Sequence, residues 1–156
     1  MEYSDIDFVD LEEMKSHVNT HNSRSGQFFE IDVCMKLEQN LNLKVFGSKT
    51  RVKMRESELT FDIDLVVGGK NNTHLVEVKK SVSDSTVAKI YCQYMAWFDE
   101  LLHNRKSTDW TFTVIYDGTD DKKAKRTLRN LKKLVKLSNF RYVDSSLKSL
   151  KTLDWS

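Results

Sequence analysis

The sequence predicts an α/β protein in which a central mixed sheet is flanked by helices, and three observations predict it. Two runs alternate apolar and polar residues, 59–67 and 74–80, and the segment between them is rich in Gly and Asn (Gly68, Gly69, Asn71, Asn72), the pattern of a β-hairpin. Stretches of helical length and apolar spacing stand on either side of that hairpin, at 24–41 and 84–104. A further apolar run at 110–116, closed by Asp117-Gly118, is followed by a basic amphipathic helix over 120–137 and a short strand over 140–143.

The remaining elements follow in chain order. Residues 5–20 read as a helix of modest amphipathicity, and Ser23 or Ser25 can cap the stronger helix after it. Residues 43–54 carry strand-forming side chains, with Gly47 at the place of a bulge. Residues 55–58 are polar and turn-like. The resulting order is α, α, β, β, β, α, β, α, β. With no repeat, linker or low-complexity segment, residues 1–156 read as one domain, a size that buries a core without staples.

Composition narrows the class. Hydrophobic residues make up 39% and charged residues 31%, as in a globular rather than a disordered chain. No apolar run reaches the roughly 18–20 residues of a membrane-spanning helix. The N-terminus is acidic, unlike a secretory signal, so the expected location is intracellular, in cytoplasm, nucleoid or nucleus, of cellular or viral origin. Cys34 and Cys92 lie among apolar residues without a metal-ligand spacing and read as small buried hydrophobes. The net charge of +2 is unevenly spread: residues 1–20 hold six acids against Lys15, and residues 120–156 hold eleven Lys/Arg against four acids (Asp120, Asp121, Asp144, Asp154). A basic C-terminal third suits an anionic partner, nucleic acid being the commonest.

The hairpin carries the chemistry. Side chains alternate along a strand, so Phe61, Ile63, Leu65 and Val67 share one face and Asp62 and Asp64 the other, while Leu75, Glu77 and Lys79 share a face on the next strand. A turn centred on Lys70-Asn71 sets Asp64 opposite Glu77, and one centred on Asn71-Asn72 sets it opposite Lys79. Either turn brings the acids and the lysine onto one face, with opposed Cβ atoms about 4.5–5.5 Å apart. Carboxylates that close repel unless a cation lies between them, and hard oxygen donors suit Mg²⁺ or Mn²⁺. The bland alternative is a solvated face with cross-strand ion pairs.

Asp64-Leu65-Val66-Val67, a short turn, and then Leu75-Val76-Glu77-Val78-Lys79 resemble the signature of the PD-(D/E)XK nuclease superfamily (restriction-endonuclease-like and Holliday-junction-resolvase-like proteins). The expected α-β-β-β-α-β order over 24–117 is similar to that family's restriction-endonuclease-like core. Phe61-Asp62 or Ile63-Asp64 stands where the family's Pro-Asp would be, and Asp64 is favoured because the hydrophobic triplet follows it directly. The resemblance implies a Mg²⁺- or Mn²⁺-dependent nuclease, a DNA endonuclease in the first instance. Asp64 and Glu77 would bind metal, the carbonyl of Val78 would complete the metal site, and Lys79 would position water or phosphate. Gly26-x-x-x-Glu30 is similar to a helix motif that supplies a further acid in several branches, and Glu30 lies on the apolar stripe Gly26, Val33, Cys34, Leu37, Leu41, where an acid needs compensation. Gln93 resembles the start of a Gln-xxx-Tyr motif, with Trp97 in the tyrosine's place; Tyr94, Trp97 and Phe98 equally suit core packing.

Other signals are weaker. His17 and His21 are spaced for one helix face but lack a third ligand. On the basic helix, Lys125, Arg129, Lys132 and Lys136 are the candidates for phosphate contact, over a buried stripe of Leu128, Leu131, Leu134 and Val135. Lys49, Arg51, Lys53 and Arg55 alternate along one strand as a second candidate. Rival readings are a non-catalytic nucleic-acid-binding module on the same fold, an RNA endonuclease, or a small assembly protein whose hairpin charges are ion pairs. Homodimers are common among such nucleases, and nothing in the sequence shows one.

Overall fold

A computed structural model describes residues 8–9, 24–48, 51–53, 60–104, 108–135 and 139–156. The elements are β1 (Phe8–Val9), α1 (Arg24–Met35), β2 (Lys44–Ser48), β3 (Arg51–Lys53), β4 (Thr60–Asp62), β5 (Leu65–Gly68), β6 (Thr73–Lys79), α2 (Asp84–Phe98), β7 (Trp110–Tyr116), α3 (Asp121–Val135), β8 (Phe140–Asp144) and α4 (Leu147–Leu150). One π-helical turn prolongs α1 over Lys36–Asn40 and another prolongs α2 over Asp99–Asn104. Asn42, at φ 55°, then turns the chain into β2, a conformation Asn tolerates better than most residues.

β2, β5, β6, β7 and β8 form a mixed sheet in that order, with the two-residue β1 on the outer edge of β2. β2, β5 and β6 pair antiparallel, and β6, β7 and β8 pair parallel. Parallel neighbours need a crossover. α2 supplies it between β6 and β7, and α3 between β7 and β8. The architecture is therefore mixed α/β. Among the described residues, no helix is long and apolar enough to cross a membrane.

Alternation along the strands separates two cores. Val66, Leu75, Phe112, Val114 and Tyr116 face α2 and α3 and pack with Ile90, Tyr94, Trp97, Ala124 and Leu128. Leu65, Val67, Val76, Val78 and Ile115 face the opposite way and pack with Val33, Cys34 and Leu37 of α1 and with Leu150 and Trp155. Tyr94 is the hub of the first core, with ring centroids 5.5 Å from Phe140 and 5.6 Å from Phe112, and its hydroxyl donates to Asn139 Oδ1 at 2.7 Å. That partner is what a buried phenol requires.

Three local expectations change. Phe8 and Val9, placed in a helix by periodicity, instead pair with Ser48 and Gly47. The open edge of β2 offers them backbone partners that a weakly amphipathic helix does not outweigh. The rest of that expected helix, with His17 and His21, lies outside the described residues. Gly47 is not a bulge, because it continues an unbroken ladder from Lys44↔Gly68 to Gly47↔Leu65. The strands expected over 43–54 and 59–67 are each divided. Arg51–Lys53 and Thr60–Asp62 leave the main sheet and pair with one another, Arg51 opposite Asp62. The chain bends at Ile63 and Asp64, so Ile63 joins the Val66 and Leu75 core rather than sharing a face with Leu65.

The β5–β6 turn is held from outside the hairpin. Gly69 N donates to Asn72 O at 2.9 Å, and Asn72 N donates to the backbone oxygen of Ser156 at 2.9 Å. A Cβ on Gly69 would lie 2.5 Å from Ser156 O and 2.6 Å from Trp155 O, so only glycine admits the C-terminal segment here. Next to it, buried His74 places Nδ1 2.7 Å from Thr111 Oγ1 and 3.2 Å from Arg141 Nη2, with Trp155 edge-on at 5.3 Å.

Burial first, and then the charge of Arg141, lower the His74 pKa from 6.5 to about 4. The unfolded chain therefore takes up a proton before the folded one does. The contribution of His74 to stability is complete above pH 6.5, is lost as pH falls from there to about 4, and levels off below that. His74→Gln is expected to remove this component, of order 2 kcal/mol. Urea unfolding of the two proteins across that range checks it, and parallel pH curves would refute it.

Candidate functional site

The β5–β6 ladder ends at Leu65↔Val76, the register in which Asp64 stands level with Glu77, as a turn centred on Lys70-Asn71 requires. Beyond that point the strands part, and the next amides lose their ladder acceptors. Carboxylates replace them reciprocally: Asp64 N donates to Glu77 Oε1 at 3.1 Å, and Val78 N donates to Asp64 Oδ2 at 2.8 Å. Lys79 Nζ lies 3.1 Å from Glu77 Oε2. Asp64, Glu77, Val78 and Lys79 are thus one connected group where β5 begins and β6 ends.

Its electrostatics are set by burial. Glu77 is fully buried, at 0% exposure, while the Lys79 side chain keeps 19%. Desolvation first, and then the Asp64 carboxylate, hold the Glu77 pKa well above the usual range, and Lys79 opposes them. Each carboxylate takes an amide on the other's strand, which sets the two acids side by side. Two carboxyls that close carry either a shared proton or a cation between them.

The other expected residues are placed as follows. Glu30 is half-buried on α1. Burial first, and then Glu30, Glu38 and Asp64, push the Cys34 thiol up, so Glu30 and Asp64 both act on this one buried side chain. Among the described residues no three His, Cys, Asp or Glu side chains gather closely enough to hold a metal ion, so Glu30 does not close up with Asp64 and Glu77. Gln93 is buried at 1% on α2, which covers the face carrying Leu75 and Glu77. Trp97, one turn further on, is a core side chain, and its indole N–H finds no acceptor among the described residues. Asp62 sits in β4 opposite Arg51, separated from Asp64 by the bend.

The basic helix divides by environment. Lys125 and Arg129 are exposed, and Lys136 lies outside the described residues. Lys132 departs from the expectation: half-buried, it donates to the carbonyl of Phe140 in β8, and burial lowers its pKa. A lysine committed to a strand carbonyl ties helix to sheet and is not an open phosphate contact. Of the alternating cations Lys49, Arg51, Lys53 and Arg55, only Arg51 and Lys53 fall on described backbone, in β3. Cys34 and Cys92 are free thiols.

Against family models, curated proteins and solved structures, the chain matches none.

Removing the Lys79 ammonium leaves Glu77 buried beside another acid. In metal-free protein, Lys79→Ala is expected to cost about 2–3 kcal/mol, below the full penalty of a broken buried pair because Lys79 is partly exposed. Adding Glu77→Gln should recover much of that loss. A double-mutant cycle by urea denaturation reads the coupling, and strictly additive losses would refute it.

Proposed function

We propose that this chain is a metal-dependent nuclease hydrolysing phosphodiester bonds of nucleic acid, with DNA the expected substrate, on a restriction-endonuclease-like core. The observation that carries the reading is the pair of amide–carboxylate ties that sets the Asp64 carboxyl beside that of fully buried Glu77, with Lys79 alongside, where two central strands part. The order α1, β2, β5, β6, α2, β7 supports it, being the expected α-β-β-β-α-β with β3 and β4 inserted as a separate hairpin.

The donor set fits Mg²⁺ or Mn²⁺, since neighbouring carboxylates are relieved by a hard divalent cation. Asp64 and Glu77 would hold it, with the Val78 carbonyl as the further donor that the resemblance implies; Glu30, which the resemblance also offers, does not close up with them. When bound, such an ion acts as a Lewis acid and lowers the pKa of water. The chain's own groups do the positioning. The Val78 amide fixes the Asp64 carboxylate and the Asp64 amide fixes that of Glu77, so neither acid has to reorganise. Lys79, paired with Glu77 at the mouth of the site, is placed to donate to a non-bridging phosphate oxygen as negative charge grows during in-line attack of water on phosphorus.

The same reciprocal amide–carboxylate ties favour a second reading, a lock that only holds β5 to β6. Metal separates the two. On the nuclease reading, Mn²⁺ raises the melting temperature, a gain of about 2.7 kcal/mol at one hundred times Kd. Asp64→Asn abolishes that gain, and Asp62→Asn, in the other sheet, preserves it. An unchanged melting temperature at millimolar Mn²⁺ leaves the lock.

Lys79→Ala separates enzyme from binder. It should retain Mn²⁺ and nucleic-acid binding and lose about 10²–10³ in single-turnover cleavage. Cleavage at the wild-type rate would exclude Lys79 from the chemistry.

A further inference from the structure

α2 and α3 both start at the end of the sheet that carries the candidate site. β6 and β7 run parallel with Lys79 level with Tyr116, α2 begins at Asp84, and α3 begins at Asp121. Both helices pack on the face that holds Leu75, Val114 and Tyr116. Between them runs a groove of about 500 Å³. Its cations are Lys123 and Arg126, its neutral hydrogen-bonding groups are Thr127 and Asn130, and Val87 and Leu131 supply its apolar surface. Asp84 is its one acid, so the lining carries two positive charges against one negative.

These are not the cations that the basic helix advertises. At about 100° per residue, positions 123, 126, 127 and 130 centre about 140° away from 125, 129 and 132. The second set turns toward β8, where Lys132 meets the Phe140 carbonyl and Lys125 acts on Asp144. The first set turns toward α2 and the groove.

We propose that this groove carries the sugar–phosphate backbone of a single nucleic-acid strand leading to the candidate site, an inference that rests on the nuclease reading. Lys123 and Arg126 match phosphate charge. Thr127 and Asn130 are of the types that hydrogen-bond phosphate and sugar oxygens without reading bases. Val87 and Leu131 give the sugar an apolar surface. A groove of about 500 Å³ between two packed helices has room for the sugar–phosphate chain of one strand and is far too small to enclose a duplex.

The test is fluorescence anisotropy in EDTA, so that cleavage cannot intervene, with a labelled mixed-sequence single-stranded oligodeoxynucleotide and its duplex, across a salt series. Lys123→Gln with Arg126→Gln should weaken single-strand binding and flatten the slope of log K against log salt by about 1.4, two contacts at about 0.7 each. Lys125→Gln with Arg129→Gln should leave the slope unchanged, Asp84→Asn should tighten binding, and the duplex should compete poorly. Equal effects from the two pairs, no binding at all, or equal affinity for duplex would overturn the proposal. Wild-type cleavage in Mn²⁺ is measured separately. Cleavage with a silent groove pair refutes the groove alone, whereas a groove-dependent slope without cleavage or Mn²⁺ stabilisation refutes the nuclease and leaves a strand-binding protein.

Discussion

Glu77 puts a carboxylate with no solvent contact at the end of a strand whose residues from Thr73 to Val78 are all buried. A buried ionised acid costs several kcal/mol unless it is paired and hydrogen-bonded. Its compensation comes from the Asp64 amide and the Lys79 ammonium, and both depend on how β5 meets β6. A slip of one residue would turn Asp64 to the other face and leave Glu77 facing an apolar neighbour. The register is therefore under electrostatic as well as hydrophobic control.

The far end of the same hairpin enforces it. The backbone oxygen of Ser156 accepts from the turn, and Gly69 leaves room for that approach. Trp155 then closes over His74, stacks under the Arg141 guanidinium at 5.0 Å and donates its indole N–H to Leu150 O. A C-terminal segment without repeating structure thus clamps the turn, and the clamp reaches the acids through a four-residue strand. Rigid support at one end therefore fixes the position of the two carboxylates at the other.

Placement of the helices completes the division of labour. α1 and the C-terminal residues close one face, and α2 and α3 close the other. The parallel strands β6 and β7 deliver their C-terminal ends, and the first turns of the helices that follow them, to one edge of the sheet. In open α/β sheets this edge is where ligands commonly bind. Basic residues on α3 are consequently sorted by their angle about the helix axis, some to the α2 groove, some to the β8 side, with Lys132 drawn onto a backbone carbonyl.

Local pattern alone determined the acid-x-lysine strand, its antiparallel pairing with the strand that follows Asp64 (though not which of two registers), the limits of β7 at Trp110–Tyr116, and the cores of α1, α2 and α3. Periodicity of two or of 3.6 residues is a property of neighbours in the chain, so it survives without knowledge of the fold. Tertiary structure decided the rest. Phe8 and Val9 became a strand because β2 had a free edge. Arg51–Lys53 and Thr60–Asp62 left the main sheet for one another, which took Asp62 away from Asp64. Lys132 has the same chemistry as Lys123 and differs only in what lies across from it, a β8 carbonyl rather than an open groove. A strand's partner and the surroundings of a long cationic side chain depend on residues distant in sequence. Sequence reasoning singled out Lys125, Arg129, Lys132 and Lys136 and passed over Lys123 and Arg126, because only the packing of α2 beside α3 makes positions 123, 126, 127 and 130 a lining.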